Sequence, residues 1–95
     1  MADRPEISLH ELAVYRVLKS AESWLSNSDI TAAVRARGIK VSARTVRLHT
    51  ARMVEAGVIE RAPVFPGHRF KVASKVPKVA RNYVARLQEA DEVFE

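Results

Sequence analysis

Leu9, Leu12, Ala13, Val17, Leu18 and Ala21 recur three or four positions apart, a spacing that predicts an amphipathic helix over 8–21. Ser8 followed by Glu11 fits a capping box at its start. Trp24 follows, and a ring of that size is expected to plug the core at the first corner, with a surface anchor as the alternative. Ser26-Asn27-Ser28-Asp29 is rich in helix-capping residues, Ile30, Ala33 and Val34 form one apolar stripe, and Gly38 supplies a stop. These signals predict a short helix over 28–37. Ile39-Lys40-Val41 is then a brief extended link. Ser42 is a second capping candidate, and at 100° per residue the next helix, 43–56, gathers Ala43, Val46, Thr50, Met53 and Val54 on its core side. Arg44, Leu48, Ala51, Arg52 and Glu55 fall opposite, Thr45 and Arg47 on the flanks, and His49 at the edge of the buried side. Gly57 ends the helix.

The period then changes. Val58-Ile59-Glu60-Arg61-Ala62 reads as a strand, and His68-Arg69-Phe70-Lys71-Val72 alternates with Phe70 and Val72 inward. Pro66-Gly67 suits a type II turn between them, and Pro63 predicts a short hairpin with a loose tip. Val76-Pro77 marks the last boundary, because proline fits the first helical position. A final helix over 77–93 carries Ala80, Tyr83, Leu87, Ala90 and Phe94 at alternating steps of three and four, a coiled-coil-like seam.

Charge sharpens this picture. Residues 35–71 carry nine basic and two acidic side chains, against three and five in 1–34 and four and four in 72–95. A positive middle third is the footprint expected of a polyanion partner, although a solvated basic face has the same composition. The 95 residues suffice for one small domain. Cysteine is absent, which excludes disulfides and thiolate metal sites and fits a reducing cytoplasm. No apolar run is long enough to span a membrane, and the polar first residues do not read as a signal peptide.

Three helices followed by a hairpin, the third helix basic outside and apolar inside, is the winged helix-turn-helix order. The chain resembles the bacterial and archaeal winged helix-turn-helix regulators over about residues 8–73. The resemblance is carried by Asp29-Ile30 with Ala33-Val34, by Gly38-Ile39-Lys40-Val41-Ser42-Ala43-Arg44-Thr45-Val46-Arg47-Leu48-His49, and by Glu55-Ala56-Gly57-Val58-Ile59-Glu60-Arg61. Thr50 departs from it, since the family usually has a leucine after the histidine. The resemblance implies a mainly α fold with a small β-hairpin (α+β). It divides the chain into an N-terminal arm (1–7), the winged domain (8–73) and a C-terminal helix (74–95).

It also implies that the third helix enters the major groove of double-stranded DNA, which admits one α-helix. Arg44 and Arg47 then fork onto guanine edges, Thr45 meets a base edge or a phosphate, Leu48 meets a thymine methyl, and Arg52 meets phosphate. Ser28 and Thr31 are candidates for a phosphate at the second helix, with plain capping as the alternative. His68, Arg69 and Lys71 are wing candidates for the flanking minor groove or backbone, Arg69 foremost. Arg35, Arg37 and Lys40 supply general attraction. Winged regulators of this size often dimerise through a terminal helix, which would use Ala80, Tyr83, Leu87, Ala90 and Phe94. The alternative is that this helix packs on helix one of its own chain. A two-fold dimer would set two recognition helices about 34 Å apart.

Catalysis finds little footing. His10, His49 and His68 fall in three different predicted elements, and no HExxH, P-loop or nucleophile elbow occurs. The expectation is a cytoplasmic, homodimeric transcriptional regulator, not an enzyme, with no cofactor, metal or small-molecule ligand evident. A protein-interaction adaptor, or a nucleic-acid-binding component of a replication, partition or RNA-processing system, shares the same features.

Overall fold

The computed structural model describes residues 8–21, 23–64 and 67–93. Four helices and three short strands run in the order α1 (Leu9–Ala21), β1 (Leu25–Ser26), α2 (Asn27–Ala36), α3 (Ala43–Ala56), β2 (Ile59–Val64), β3 (Gly67–Val72) and α4 (Arg81–Val93), with a 3-10 turn, Lys78–Ala80, leading into α4. The α+β class and the helix order expected from the sequence hold.

Local chemistry explains the boundaries. Glu11 N–H donates to Ser8 Oγ at 3.0 Å and Ser8 N–H to Glu11 Oε1 at 3.2 Å, the expected capping box. A second box starts α2, one residue earlier than predicted: Asp29 N–H donates to Ser26 Oγ at 3.1 Å and Ser26 N–H to Asp29 Oδ2 at 3.2 Å. Ser42 caps α3 by accepting from Thr45 N–H. At the other end Gly57 takes φ +84°, and Val58 N–H reaches back to the Met53 carbonyl at 2.9 Å. This Schellman closure needs a left-handed residue, which favours glycine.

The core lies between α1, α2, α3 and the sheet, and α1 is its centre. Leu12, Val14, Val17 and Leu18 of α1, Ile30 and Val34 of α2, Val46 and Met53 of α3, and Phe70 of β3 are all buried. Ala80 and Leu87 join the same core, so the approach to α4, the helix itself and the winged domain share one apolar interior. Within α3 the buried stripe is Val46, Thr50 and Met53, with Val54 half-buried. Ala43, expected inside, is exposed because it lies in the first turn, beyond the packed part of the helix.

The sheet corrects the expected hairpin. Its order is β1-β3-β2, antiparallel throughout, with Leu25 opposite Phe70 and Ser26 opposite Arg69. The added strand β1 is two residues long, too short for alternation to reveal it. The hairpin itself extends further than predicted, pairing Ile59 with Val72 and Val64 with Gly67. Pro63 sits inside β2 opposite His68, which is tolerated because β2 is an edge strand. Gly67 therefore belongs to β3, while Pro66 lies outside the described residues. Trp24 is not a core plug. It is 39% exposed, and its neighbour Leu25 packs against the core instead. Consecutive extended residues point to opposite sides, so only one of the two goes in.

Candidate nucleic-acid interface

The outer face of α3 stands clear of the core. Arg44, Arg47, Leu48, Ala51, Arg52 and Glu55 are exposed, Thr45 and His49 half-buried. Leu48 keeps 47% of its surface in water on an otherwise basic face. It stays outside although the next core position holds Thr50. Arg44, Thr45, Arg47 and Leu48 together line an open concave surface at the start of the helix. Arg44 and Leu48, expected on the outer side, thus share this surface with Thr45 and Arg47, expected on the flanks.

Thr45 has a defined hydrogen-bonding role. Ser42 Oγ donates to Thr45 Oγ1 at 3.0 Å while accepting from Thr45 N–H. The Thr45 hydroxyl is therefore an acceptor towards its own chain and keeps its single proton for an outside acceptor. Guanine O6 or N7, thymine O4 and a phosphate oxygen are such acceptors.

Two anchors that the sequence did not reveal hold the link into α3. His10 Nε2 lies 2.9 Å from the Lys40 carbonyl, and Arg35 Nε donates to the Val41 carbonyl at 3.0 Å. Arg35, read from sequence as general attraction, is thus a structural tie. Lys40 keeps an exposed side chain beside the start of α3. His10 and Arg35 gave no signal in the sequence, because backbone carbonyls as partners leave no residue pattern.

The second-helix and wing candidates separate. Ser28 is exposed in the first turn of α2, but Thr31 is 5% exposed and donates to the Asn27 carbonyl at 2.8 Å. The Thr31 hydroxyl thus faces the interior, as part of the α2 start, and not the outer surface. The start of α2 also carries its own anion. The Asp29 carboxyl is held below its usual pKa, first by the Ser26 backbone N–H, then by the Ser26 side chain, with a smaller contribution from Arg69. A phosphate there would meet a carboxylate already in place. In the wing, His68 and Lys71 are exposed, while Arg69 is half-buried with its Nη1 3.7 Å from Asp29 Oδ2. The foremost wing candidate thus turns back towards α2, because β1 pairing places Arg69 beside the α2 cap.

The predicted dimer seam is used within the chain. Leu87 and Ala80 are buried, Tyr83 and Ala90 half-buried, and α4 packs on α1. The Tyr83 hydroxyl donates to Glu11 Oε2, and burial together with that carboxylate pushes its pKa upward, so it remains a donor. Phe94 and the arm 1–7 lie outside the described residues. Of the two sequence alternatives for α4, packing on helix one is the one built.

A three-helix core whose third helix is followed by a hairpin, with a short strand closing a three-stranded sheet, is a winged helix. Solved structures with the same fold include ferric uptake regulators. The protein from Francisella tularensis, solved with iron, superposes with a TM-score of 0.69 at 15% identity, covering 81% of this chain and 60% of that one. The Pseudomonas aeruginosa protein, solved with manganese, gives 0.68 at 24% identity over 74% of this chain and 54% of that one. The Vibrio cholerae protein gives 0.68 at 15% identity over 92% and 81%. This chain thus spans little more than half the length of the first two, and the likeness is one of fold. No protein-family profile and no curated protein matches the sequence.

Two of these neighbours hold a metal, so freedom from ligands does not carry over with the fold. Among the described residues no three of His, Asp and Glu gather closely enough to hold an ion. No described helix is long and apolar enough to cross a membrane.

Proposed function

We propose that this chain is the DNA-binding domain of a transcriptional regulator, reading double-stranded DNA with α3 in the major groove. One observation carries the reading. The face of α3 opposite Val46, Thr50 and Met53 projects Arg44, Arg47, Leu48 and Arg52 into water, unpacked by any other described element. In this reading Arg44 and Arg47 fork onto guanines, Thr45 donates from the proton that Ser42 leaves it, Leu48 meets a thymine methyl, and Arg52 neutralises phosphate. Lys40, His68 and Lys71 add backbone contacts beside the groove. Arg69 contributes once Asp29 releases it. The ferric uptake regulator from Vibrio cholerae is described by its DNA-binding domains, which supports the same use of this fold. The chain works in the cytoplasm, on DNA, as a binding protein and not as an enzyme. A homodimer belongs to the same proposal, with its contact away from Ala80 and Leu87, which are already buried.

Selection from a random duplex library, followed by binding at about 50 and about 200 mM salt, tests the reading. A consensus should emerge, and affinity should fall steeply with salt. Arg47→Ala should then cost about 1–3 kcal/mol on the consensus and relax one base position. Equal weakening on every duplex would remove Arg47 from base reading, and no enrichment at all would leave the adaptor reading.

A further inference from the structure

Among the described residues, two polar side chains lie in the core, Thr31 at 5% and Thr50 at 1% exposure. Both end on the same residue. Thr31 Oγ1 donates to the Asn27 carbonyl at 2.8 Å, and Thr50 Oγ1 donates to Asn27 Oδ1 at 2.9 Å. Thr50 Oγ1 also lies 3.1 Å from the Arg47 carbonyl, so one proton serves two acceptors. The Asn27 contact is the shorter and joins two helices. Asn27 opens α2, and Thr50 sits in the middle of α3.

An apolar side chain at position 50 would fill similar space and bury more apolar area. Apolar contact is non-directional, however, and would not by itself select one relation between position 50 and the start of α2. A hydrogen bond fixes both distance and angle, and only the Asn27 acceptor ties the Thr50 hydroxyl to another helix. A satisfied buried polar pair therefore selects one arrangement of two helices over its near neighbours. The selected arrangement is the one that aims the outer face of α3. Thr50 lies one turn beyond Arg47, and its hydroxyl touches the Arg47 carbonyl itself.

We propose that the Asn27–Thr50 hydrogen bond pins the register of α3 against α2, which makes Thr50 a positioning residue for base reading by Arg44, Thr45, Arg47 and Leu48. The structural half stands on the geometry above, and the functional half rests on the DNA-binding reading.

Three variants test it in the full chain: Thr50→Val, which keeps the shape and removes the hydroxyl, Thr50→Ser, which keeps the hydroxyl, and Asn27→Ala, which removes the partner from a half-buried site. Residual dipolar couplings of the α2 and α3 amides read the angle between the helices without DNA. Thr50→Val and Asn27→Ala should shift or average the α3 couplings relative to α2, and Thr50→Ser should keep them. On duplexes chosen by selection, Thr50→Val should lose about tenfold of its preference for the consensus over a scrambled duplex, a loss the size of one misread base pair. Thr50→Ser should retain that preference. Unchanged couplings in a folded Thr50→Val or Asn27→Ala protein would overturn the pin. An unchanged preference alongside shifted couplings would overturn the positioning role. Should Thr50→Val fail to fold, Asn27→Ala carries both measurements. Should the unmodified chain prefer no duplex, the DNA-binding reading fails and the couplings alone decide the pin.

Discussion

His49 lies at the edge of the buried side of α3, and its imidazole is held below its usual pKa. Burial is the main cause, Glu11 opposes it, and Arg52 and His10 reinforce it. The unfolded chain restores the ordinary value of 6.5. Between the folded value and 6.5 the unfolded state binds the proton more readily, so the sign is definite. Stability from this group is full above pH 6.5, declines as pH falls through the folded pKa, and levels off below it. Thermal melts between about pH 8 and about pH 5 should show the decline in the unmodified protein and a shallower one in His49→Gln. An equal decline in both would show that His49 is not the group responsible. Thr50 teaches a related lesson. As a letter in the sequence it breaks an apolar stripe, and only the position of Asn27, 23 residues earlier, shows why it is tolerated.

At the scale of elements, two glycines with nearly equal backbone angles should respond differently to the same substitution. Gly38 has φ +83° with nothing within 4 Å of an added Cβ. Gly57 has φ +84°, but an added Cβ would stand 2.6 Å from Pro77 Cγ and 2.7 Å from Cδ. Gly38→Ala should cost about 1–2 kcal/mol, the backbone penalty alone. Gly57→Ala should cost about 2–4 kcal/mol, because a steric conflict where α3 ends against the approach to α4 is added. Urea unfolding gives both numbers, and Pro77→Ala in the Gly57→Ala background should return part of the loss. Equal costs would show that Pro77 moves aside freely. These same element ends were legible in the sequence, because capping depends on residues three or four apart. Ser8 with Glu11, Ser42, and Gly57 announce their ends, and spacing at 100° per residue puts Arg44, Leu48, Ala51, Arg52 and Glu55 on the exposed side of α3. Ser26 was within the capping cluster but one residue was enough to misplace the start. The strand β1, the exposure of Trp24 and the ties made by His10 and Arg35 depend on partners far along the chain, and periodicity carries no trace of them.

For the molecule as a whole, α4 closes the core and Tyr83 fastens it. The Tyr83 hydroxyl bonds a carboxylate that already caps α1, so one side chain, Glu11, joins the start of the first helix to the last. Tyr83→Phe should cost about 1–2 kcal/mol, the value of a part-exposed bond to a charged acceptor, and hydrogen exchange in α4 should quicken more than in α2. Uniform quickening would mean that α4 does not open separately. The seam of α4 was visible in the sequence, but which surface it meets was not. A stripe of Ala80, Tyr83, Leu87 and Ala90 has the same spacing whether it faces α1 or a second copy.

The segment joining α2 to α3 carries Arg37 and Lys40 with exposed side chains, the residues after which trypsin cuts. A protease must draw several residues of backbone into an extended strand, and here the Lys40 and Val41 carbonyls are each fastened to a side chain from another part of the chain. Digestion should therefore spare this basic stretch for as long as the domain is folded. His10→Ala, by loosening one fastening, should make Lys40 an early cleavage point in a timed digest read by mass spectrometry.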